Sequence, residues 1–306
     1  MLRLIGRRLL FIAIVTLAII YLIHLGMRFI RNSEVPQPNF DLAQNSVLAW
    51  TDTRTYISRA LQGEFGSVRS SNGALLSVRS ILAESYINSM GLLLLALTAA
   101  TLIGIPLGTL AALFKKSKTI PVLMGLTVLG ISVPSFFAAI LWRQAEIYYV
   151  YYFGRPLVSV VGFGWDYQHM TLPLLVLAAR PLAYLTRAAF LGFKRTMEED
   201  YIRTAYSKGL SQMRAVLRHA LPNVAVPILT AMGVSLRFAL GALPIVEFFF
   251  LWPGLGLRLL EAIDARQTAV VITLATALGF TFLIINLLLD VAYWLIDPRI
   301  REESHA

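Results

Sequence analysis

Cysteine is absent from this sequence of 306 residues, and charged residues make up only 14% of it. The absence of cysteine excludes disulfides, thiolate nucleophiles and cysteine metal sites, although it leaves the compartment undetermined. The charged share is well below the ~25% of soluble domains. Hydrophobic residues reach 57%, and the mean hydropathy is +0.69. The composition therefore excludes an ordinary soluble domain and predicts an integral membrane protein.

Sequence motifs for catalysis are also missing. The chain has no GxxxxGK[ST] segment, so it lacks that loop for binding the phosphates of ATP, and it has neither HExxH nor GxSxG. The histidines are too scattered in the sequence to indicate a metal site: they are His24, His169, His219 and His305. We expect no catalytic residue, no metal and no cofactor on this chain.

The net charge of +10 is high for a chain with so few charged residues. In a membrane protein, a basic excess marks the cytoplasmic loops, which face anionic lipid. We therefore predict membrane lipid as a partner and do not predict nucleic acid.

Six apolar runs are long enough to cross a bilayer, which takes about 20 helical residues. The first follows Arg3, Arg7 and Arg8, as in a signal peptide, but it exceeds the ~7–15 residues of a signal-peptide core and no small-residue cleavage site follows it. It therefore predicts an uncleaved span. The predicted spans are about 9–29, 89–114, 120–142, 172–193, 223–250 and 268–296.

The basic residues between these spans indicate the topology. Lysines crowd the loop after residue 114, and arginines and lysines are abundant in the loop 194–222. Under the positive-inside rule, both loops and both termini lie in the cytoplasm, so the arrangement is N-in and C-in. The loop 31–88, which has a possible short helix from Asp52 to Leu61 and a turn at Gly63 to Gly66, is then external.

Several residues within or beside the spans predict special roles. A stripe of small residues in the second span, spaced four apart, favours close packing of another helix, within the chain or across a dimer; it comprises Ala100, Gly104, Gly108 and Ala112. Pro134 lies inside the third span. The outer loop 143–170 is rich in aromatic residues, which typically anchor a protein at the membrane interface; a substrate gate or a protein contact is the alternative.

Charged residues inside the spans are costly in lipid and therefore indicate function or pairing. Arg180 and Arg187 in the fourth span should face protein or water. Arg237 lies between two glycines of the fifth span and is a candidate for the translocation pathway, as are Glu247 and Asp290. The alternative is that Arg237 forms a structural ion pair with Glu247 or Asp290.

The longest polar run of the chain extends from Glu198 to Pro222. Apolar and small residues recur at helical spacing from Ile202 to Leu210, which predicts a short amphipathic helix over about 199–208. Gly209 suits the left-handed residue that ends a helix, and a second helix would run from Ser211 toward His219. This pattern favours a docking element over a plain cytoplasmic loop.

This run resembles the cytoplasmic loop of permease subunits of binding-protein-dependent ABC importers. Its DYxRTAxxKGL and RHAL segments are similar to the dipeptide, oligopeptide and nickel branch, where an arginine, here Arg203, usually replaces the acidic residue of other branches. Glu247, the segment Trp252–Gly256 and the Asp297–Arg299 end also resemble the family. Three features depart from it: the Pro-Gly-Asp-Pro element after the first span is missing, Arg237 is unusual, and Gln267 and Ala269 stand where an Asp and a Pro often occur.

The resemblance implies an all-α polytopic membrane protein with six transmembrane helices and the type I ABC importer permease fold. It implies that the loop 194–222 holds a coupling helix that docks on an ATPase. The implied coupling residues are Asp200, Tyr201, Arg203, Thr204, Ala205, Lys208, Gly209 and Leu210. The implied partners are a second homologous permease, two ATP-binding subunits that carry the ATP and Mg, and an external solute-binding protein.

We therefore interpret residues 1–306 as a single permease domain in a bacterial or archaeal plasma (inner) membrane. It would move peptides or similar small solutes by alternating access, with nickel, opines or sugar-like solutes as other possibilities. The alternative is an ion-coupled secondary transporter or channel that uses Arg237, Glu247 and Asp290 as a charge relay. Such carriers commonly have inverted repeats, and none is evident in this sequence.

Overall fold

The chain is predominantly α-helical, with one short β-hairpin. The computed structural model describes residues 2–32, 41–69, 73–114 and 118–296. Its elements in chain order are α1 (Leu2–Asn32), α2 (Leu42–Ala60), β1 (Ser67–Arg69), β2 (Leu75–Ser77), α3 (Val78–Leu113), α4 (Thr119–Ser132), α5 (Ser135–Phe153), α6 (Tyr167–Thr196), α7 (Asp200–Ser207), α8 (Gln212–Ala215), a π-helical turn (Val216–Ala220), α9 (Leu221–Phe250), α10 (Leu255–Asp264) and α11 (Thr268–Ile296).

Within the described residues, five helical segments are long and apolar enough to cross a membrane. They are α1, α3, α6, the continuous segment from α8 through α9, and α11. Helices α4 and α5 form a sixth if the bent pair is one span. The all-α fold with up to six membrane helices is thereby confirmed, while the N-in, C-in orientation stays a prediction.

The third span differs from the single segment predicted over 120–142. The chain bends by 110° between α4 and α5. Val133 has an extended conformation, with ψ at 123°, and Pro134 follows it. Proline disfavours the helical conformation of the preceding residue and lacks an N–H for the helix, so the break falls at this pair.

The segment 31–88, predicted as a loop, contains three ordered elements. Helix α2 begins ten residues before the predicted Asp52–Leu61 helix, because the Asp41 carboxylate accepts hydrogen bonds from the backbone N–H groups of Ala43 and Gln44. The turn at Gly63 and Gly66 is confirmed, since both glycines have positive φ angles, 78° and 85°. Helix α3 then begins at Val78, so it starts earlier than the predicted second span.

Close contacts divide the chain into two units, each described here by itself. The first comprises residues 1–89 and 253–288. Its core includes Val78, Leu255 and Leu274, all fully buried. Arg28 Nε in α1 donates to Asp52 Oδ2 in α2 at 3.0 Å, and Tyr56 of α2 donates to Thr273 of α11 at 3.2 Å. These polar contacts attach α2 to two long helices.

The second unit comprises residues 90–252 and 289–306, and α6 lies at its centre. The predicted stripe of small residues packs within the chain against α6. A Cβ added to Gly104 would lie 2.9 Å from the carbonyl oxygen of Leu182, and one added to Gly108 would clash with the carbonyl oxygen of Thr186. Glycine at these positions allows the two backbones to touch.

The aromatic loop predicted over 143–170 is only partly a loop. Helix α5 continues to Phe153, so the tyrosines of this stretch lie on a helix. Glu146 is buried and accepts hydrogen bonds from the N–H groups of Leu157 and Val158, which attaches the following loop to α5. Trp165 packs edge-on against buried Trp252, with ring centroids 5.1 Å apart. Interface anchoring by the remaining aromatic residues stays a prediction.

Candidate coupling helix and intramembrane charges

Helix α7 has the position and the ends that the sequence predicts. Glu199 precedes it in an extended conformation, and Gly209 follows it with a φ of +83°. The Gly209 N–H donates to the Tyr206 carbonyl at 2.9 Å, and the Leu210 N–H donates to the Ala205 carbonyl at 3.2 Å. These bonds satisfy carbonyl groups at the helix end, as in other glycine-terminated helices.

The second predicted helix also forms, but it does not end near His219. Ser211 is extended, and α8 begins at Gln212. It passes without interruption through the π-helical turn into α9. The sharp turn at Gly209 is thus joined directly to a membrane helix.

One face of α7 is buried against its own chain. Ile202 is 0% exposed and Ala205 is 6% exposed. Ile202 lies in an apolar cluster, which we call the α7 anchor, formed mainly by the ends of α6 and α9. Its buried members are Ala112, Ala189, Phe193, Met197, Ile202, Val216, Ala220, Val224 and Ile228, with Ala205 buried on the same face of α7.

The opposite face of α7 is exposed and polar. The side chains of Asp200 and Arg203 are 94% and 72% exposed and form an ion pair of 3.3 Å, a type of surface pair that contributes little stability. Tyr201, Thr204 and Lys208 are also exposed. Of the eight predicted coupling residues, Ala205 therefore lies on the buried face and Leu210 is half-buried, whereas Gly209 and the other five are open to a partner.

The sequence analysis missed the residues that attach α7 to the membrane helices. Asn223 of α9 donates to the Tyr201 hydroxyl at 2.9 Å, and Phe193 and Val224 belong with Ile202 to the α7 anchor. The apolar residues that recur at helical spacing on both sides of the polar run could have indicated this contact. Because α6 and α9 both contribute to the anchor, displacement of α7 would act on both helices.

We expect Ile202→Ala to loosen α7 without unfolding the membrane helices. Removing a fully buried isoleucine from an apolar cluster costs about 2–5 kcal/mol, and α7 is only eight residues long. Hydrogen exchange of the α7 amides should accelerate, while that of α6 stays unchanged. Ser207→Ala, an exposed position on the same helix, is the control; equal exchange in both variants would contradict the anchor.

The three predicted pathway charges do not form one cluster. Arg237 and Glu247 are ten residues apart on α9, about 15 Å along the helix axis. The Arg237 Nε is buried without a hydrogen-bond partner among the described residues, and Glu247 is fully buried. Glu247 and Asp290 each have interactions of their own. A role for these residues in the pathway stays a prediction.

Comparison with known proteins identifies similar sequences over most of the chain. Residues 104–302 match the family described as binding-protein-dependent transport system inner membrane component. The glutathione transport system permease protein GsiC of Salmonella choleraesuis (strain SC-B67) is 35% identical over 256 residues, which cover 80% of this chain and 78% of that protein. The protein of the same name from Escherichia coli (strain K12) is 33% identical over the same shares. Helix α7 lies within the matched region.

Proposed function

Because the chain belongs to the family of binding-protein-dependent transport system inner membrane components, and is therefore a permease subunit of an ABC importer, we propose that it forms half of a transport pathway. The other half is a second, homologous permease. Proteins of this family work with a solute-binding protein and with ATPase subunits. We propose two ATP-binding subunits, which hold the ATP and Mg; this chain binds neither.

The proposed coupling is based on the observation that α7 has one exposed polar face and one buried apolar face. Its exposed face, which includes Tyr201, Arg203 and Lys208, docks on an ATPase subunit, and its buried face transmits the force to the α7 anchor. When ATP binding draws the two ATPases together, α7 moves with them. Helices α6 and α9 then follow as rigid rods, and the pathway changes from inward-open to outward-open.

The proposed solute is a small peptide or a molecule like one. Relatives at 33–35% identity are named as permeases of glutathione transport systems, and glutathione is itself a tripeptide derivative. Selection among solutes rests largely with the binding protein in importers of this kind. Glutathione is therefore the first probe to use in transport measurements.

Cross-linking tests the docking of α7. Since the chain has no native cysteine, Lys208→Cys introduces a unique, exposed thiol directly after the last residue of α7. A photoactivatable maleimide at this position should cross-link to an ATPase subunit, whereas the same label at Ser67→Cys, on the predicted outer side, should not. Cross-linking from neither position, or equally from both, would count against docking.

Energy coupling distinguishes the importer from an ion-coupled carrier. In vesicles that contain the whole complex, uptake of glutathione should require ATP and the binding protein, and vanadate should abolish it. Uptake that follows a proton gradient and is insensitive to vanadate would overturn the proposed function.

A further inference from the structure

Helix α6 carries a row of cationic side chains along one face. Arg180, Arg187 and Lys194 are spaced by seven residues, so they lie nearly above one another at intervals of about 10 Å. Arg187 and Lys194 are exposed and Arg180 is half-buried. The row therefore extends from the middle of a membrane helix to the end that carries the α7 anchor.

Arg237 of α9 lies at the same level as the innermost member of this row. Helices α6 and α9 are antiparallel: a Cβ added to Gly192 would lie 2.6 Å from Val224 Cγ1, and Arg180 Cζ lies 5.2 Å from the ring centroid of Phe238. Arg180 lies twelve residues before Gly192 in α6, whereas Phe238 lies fourteen residues after Val224 in α9, so the two helices run in opposite directions. Arg180 and Arg237 are each thirteen residues from the Tyr167 and Phe250 ends of their helices, about 20 Å along the axis.

Each of the two arginines has a buried N–H group without a hydrogen-bond partner in the described part of the chain. These groups are the Nε atoms of Arg180 and Arg237. The Phe238 ring supports the Arg180 guanidinium by a cation–π contact, but this contact leaves the Arg180 Nε without a hydrogen-bond acceptor among the described residues. Cationic side chains at this depth are too costly to face lipid, so each guanidinium must face water or an anion.

We infer that Arg180 and Arg237 bind a carboxylate group of the transported solute, and that Arg187 and Lys194 continue this attraction toward the α7 end. A guanidinium matches a carboxylate because its N–H groups donate two parallel hydrogen bonds. The inference rests on the proposed permease function and adds to it a substrate class, namely solutes that carry a free carboxylate.

Charged thiol reagents test whether this surface is open to water and attracts anions. Phe238→Cys, beside Arg180, and Leu191→Cys, on the cationic row, introduce single thiols in this cysteine-free chain. The anionic sulfonatoethyl methanethiosulfonate should react at both sites at least about fivefold faster than the cationic trimethylammonioethyl reagent, after correction for their rates with a free thiol. The matched control is Leu175→Cys on another face of α6, since Leu175 and Phe238 are each 42% exposed; neither reagent should modify it.

Charge variants connect this preference to transport. Arg237→Gln should abolish the anion preference at Phe238→Cys and lower glutathione uptake at least about tenfold, whereas Arg237→Lys should retain most of both. ATP hydrolysis stimulated by the binding protein should stay within about twofold, because α7 and its anchor are unchanged. Arg180→Gln should act in the same way.

Several outcomes would overturn the carboxylate site. These are an absence of labelling at Phe238→Cys and Leu191→Cys, equal rates for the two reagents, or normal glutathione uptake by both glutamine variants. Any of them, together with intact ATP-driven uptake by the native complex, would leave the proposed function standing. Failure of the native complex to use ATP for uptake would instead contradict the proposed function. The labelling experiment does not depend on ATP, so it tests the carboxylate site separately.

Discussion

Uptake should fall by at least about tenfold when Gly209 is replaced by valine, while the chain still inserts into the membrane. Gly209 has a φ of +83° and no neighbouring atom within 4 Å of an added Cβ, so the cost is conformational and not steric. A β-branched residue in this region costs about 1–3 kcal/mol. The turn that joins α7 to α8 would relax to another conformation, and α7 would change its orientation toward the ATPase.

Transport and ATP hydrolysis measured on the same vesicles should separate in this variant, with hydrolysis continuing while uptake is lost. Gly154→Val is the matched control, because Gly154 also has a positive φ, +69°, and nothing within 4 Å, yet it follows α5. Gly209→Asn should restore part of the uptake, since asparagine tolerates left-handed conformations. Normal uptake by Gly209→Val would count heavily against the coupling role of α7.

Gly108→Leu should lower the amount of folded protein in the membrane by at least about tenfold. An added Cβ at Gly108 clashes with the backbone carbonyl of Thr186, and one added at Gly104, one turn away, would lie 2.9 Å from the Leu182 carbonyl oxygen. Overpacking costs about 1–3 kcal/mol even where side chains can move, and a backbone carbonyl in the middle of α6 cannot move aside. Helices α3 and α6 would have to separate.

Membrane abundance and thermal unfolding in detergent would measure this loss. Gly125→Leu on α4 is the control, because it introduces the same side chain in a membrane helix where nothing lies within 4 Å of the added Cβ. Equal abundance of the two variants would show that α3 and α6 do not depend on the glycine contact.

Local sequence signals predicted the features that depend on short-range chemistry. The last helix occupies 268–296, as its apolar run predicts, and Gly209 ends α7 because a left-handed residue is easiest for glycine. The small residues of α3 identified a contact face without identifying its partner. By contrast, the sequence placed Pro134 within one span, whereas in the structure the residue before it is extended and the helix bends by 110° there. The hydropathy of an apolar run does not indicate where the helix bends or in which direction the chain then continues.

The sequence by itself determined that this is a helical membrane protein of the importer permease family with an amphipathic helix outside the spans. Only the tertiary structure decided that Ala205 faces inward, that the α7 anchor joins α6 to α9, and that Arg180 lies level with Arg237. Composition and periodicity report the preference of each segment for lipid or water. Which faces meet depends on contacts between residues far apart in the chain, and those are specified only when the helices pack.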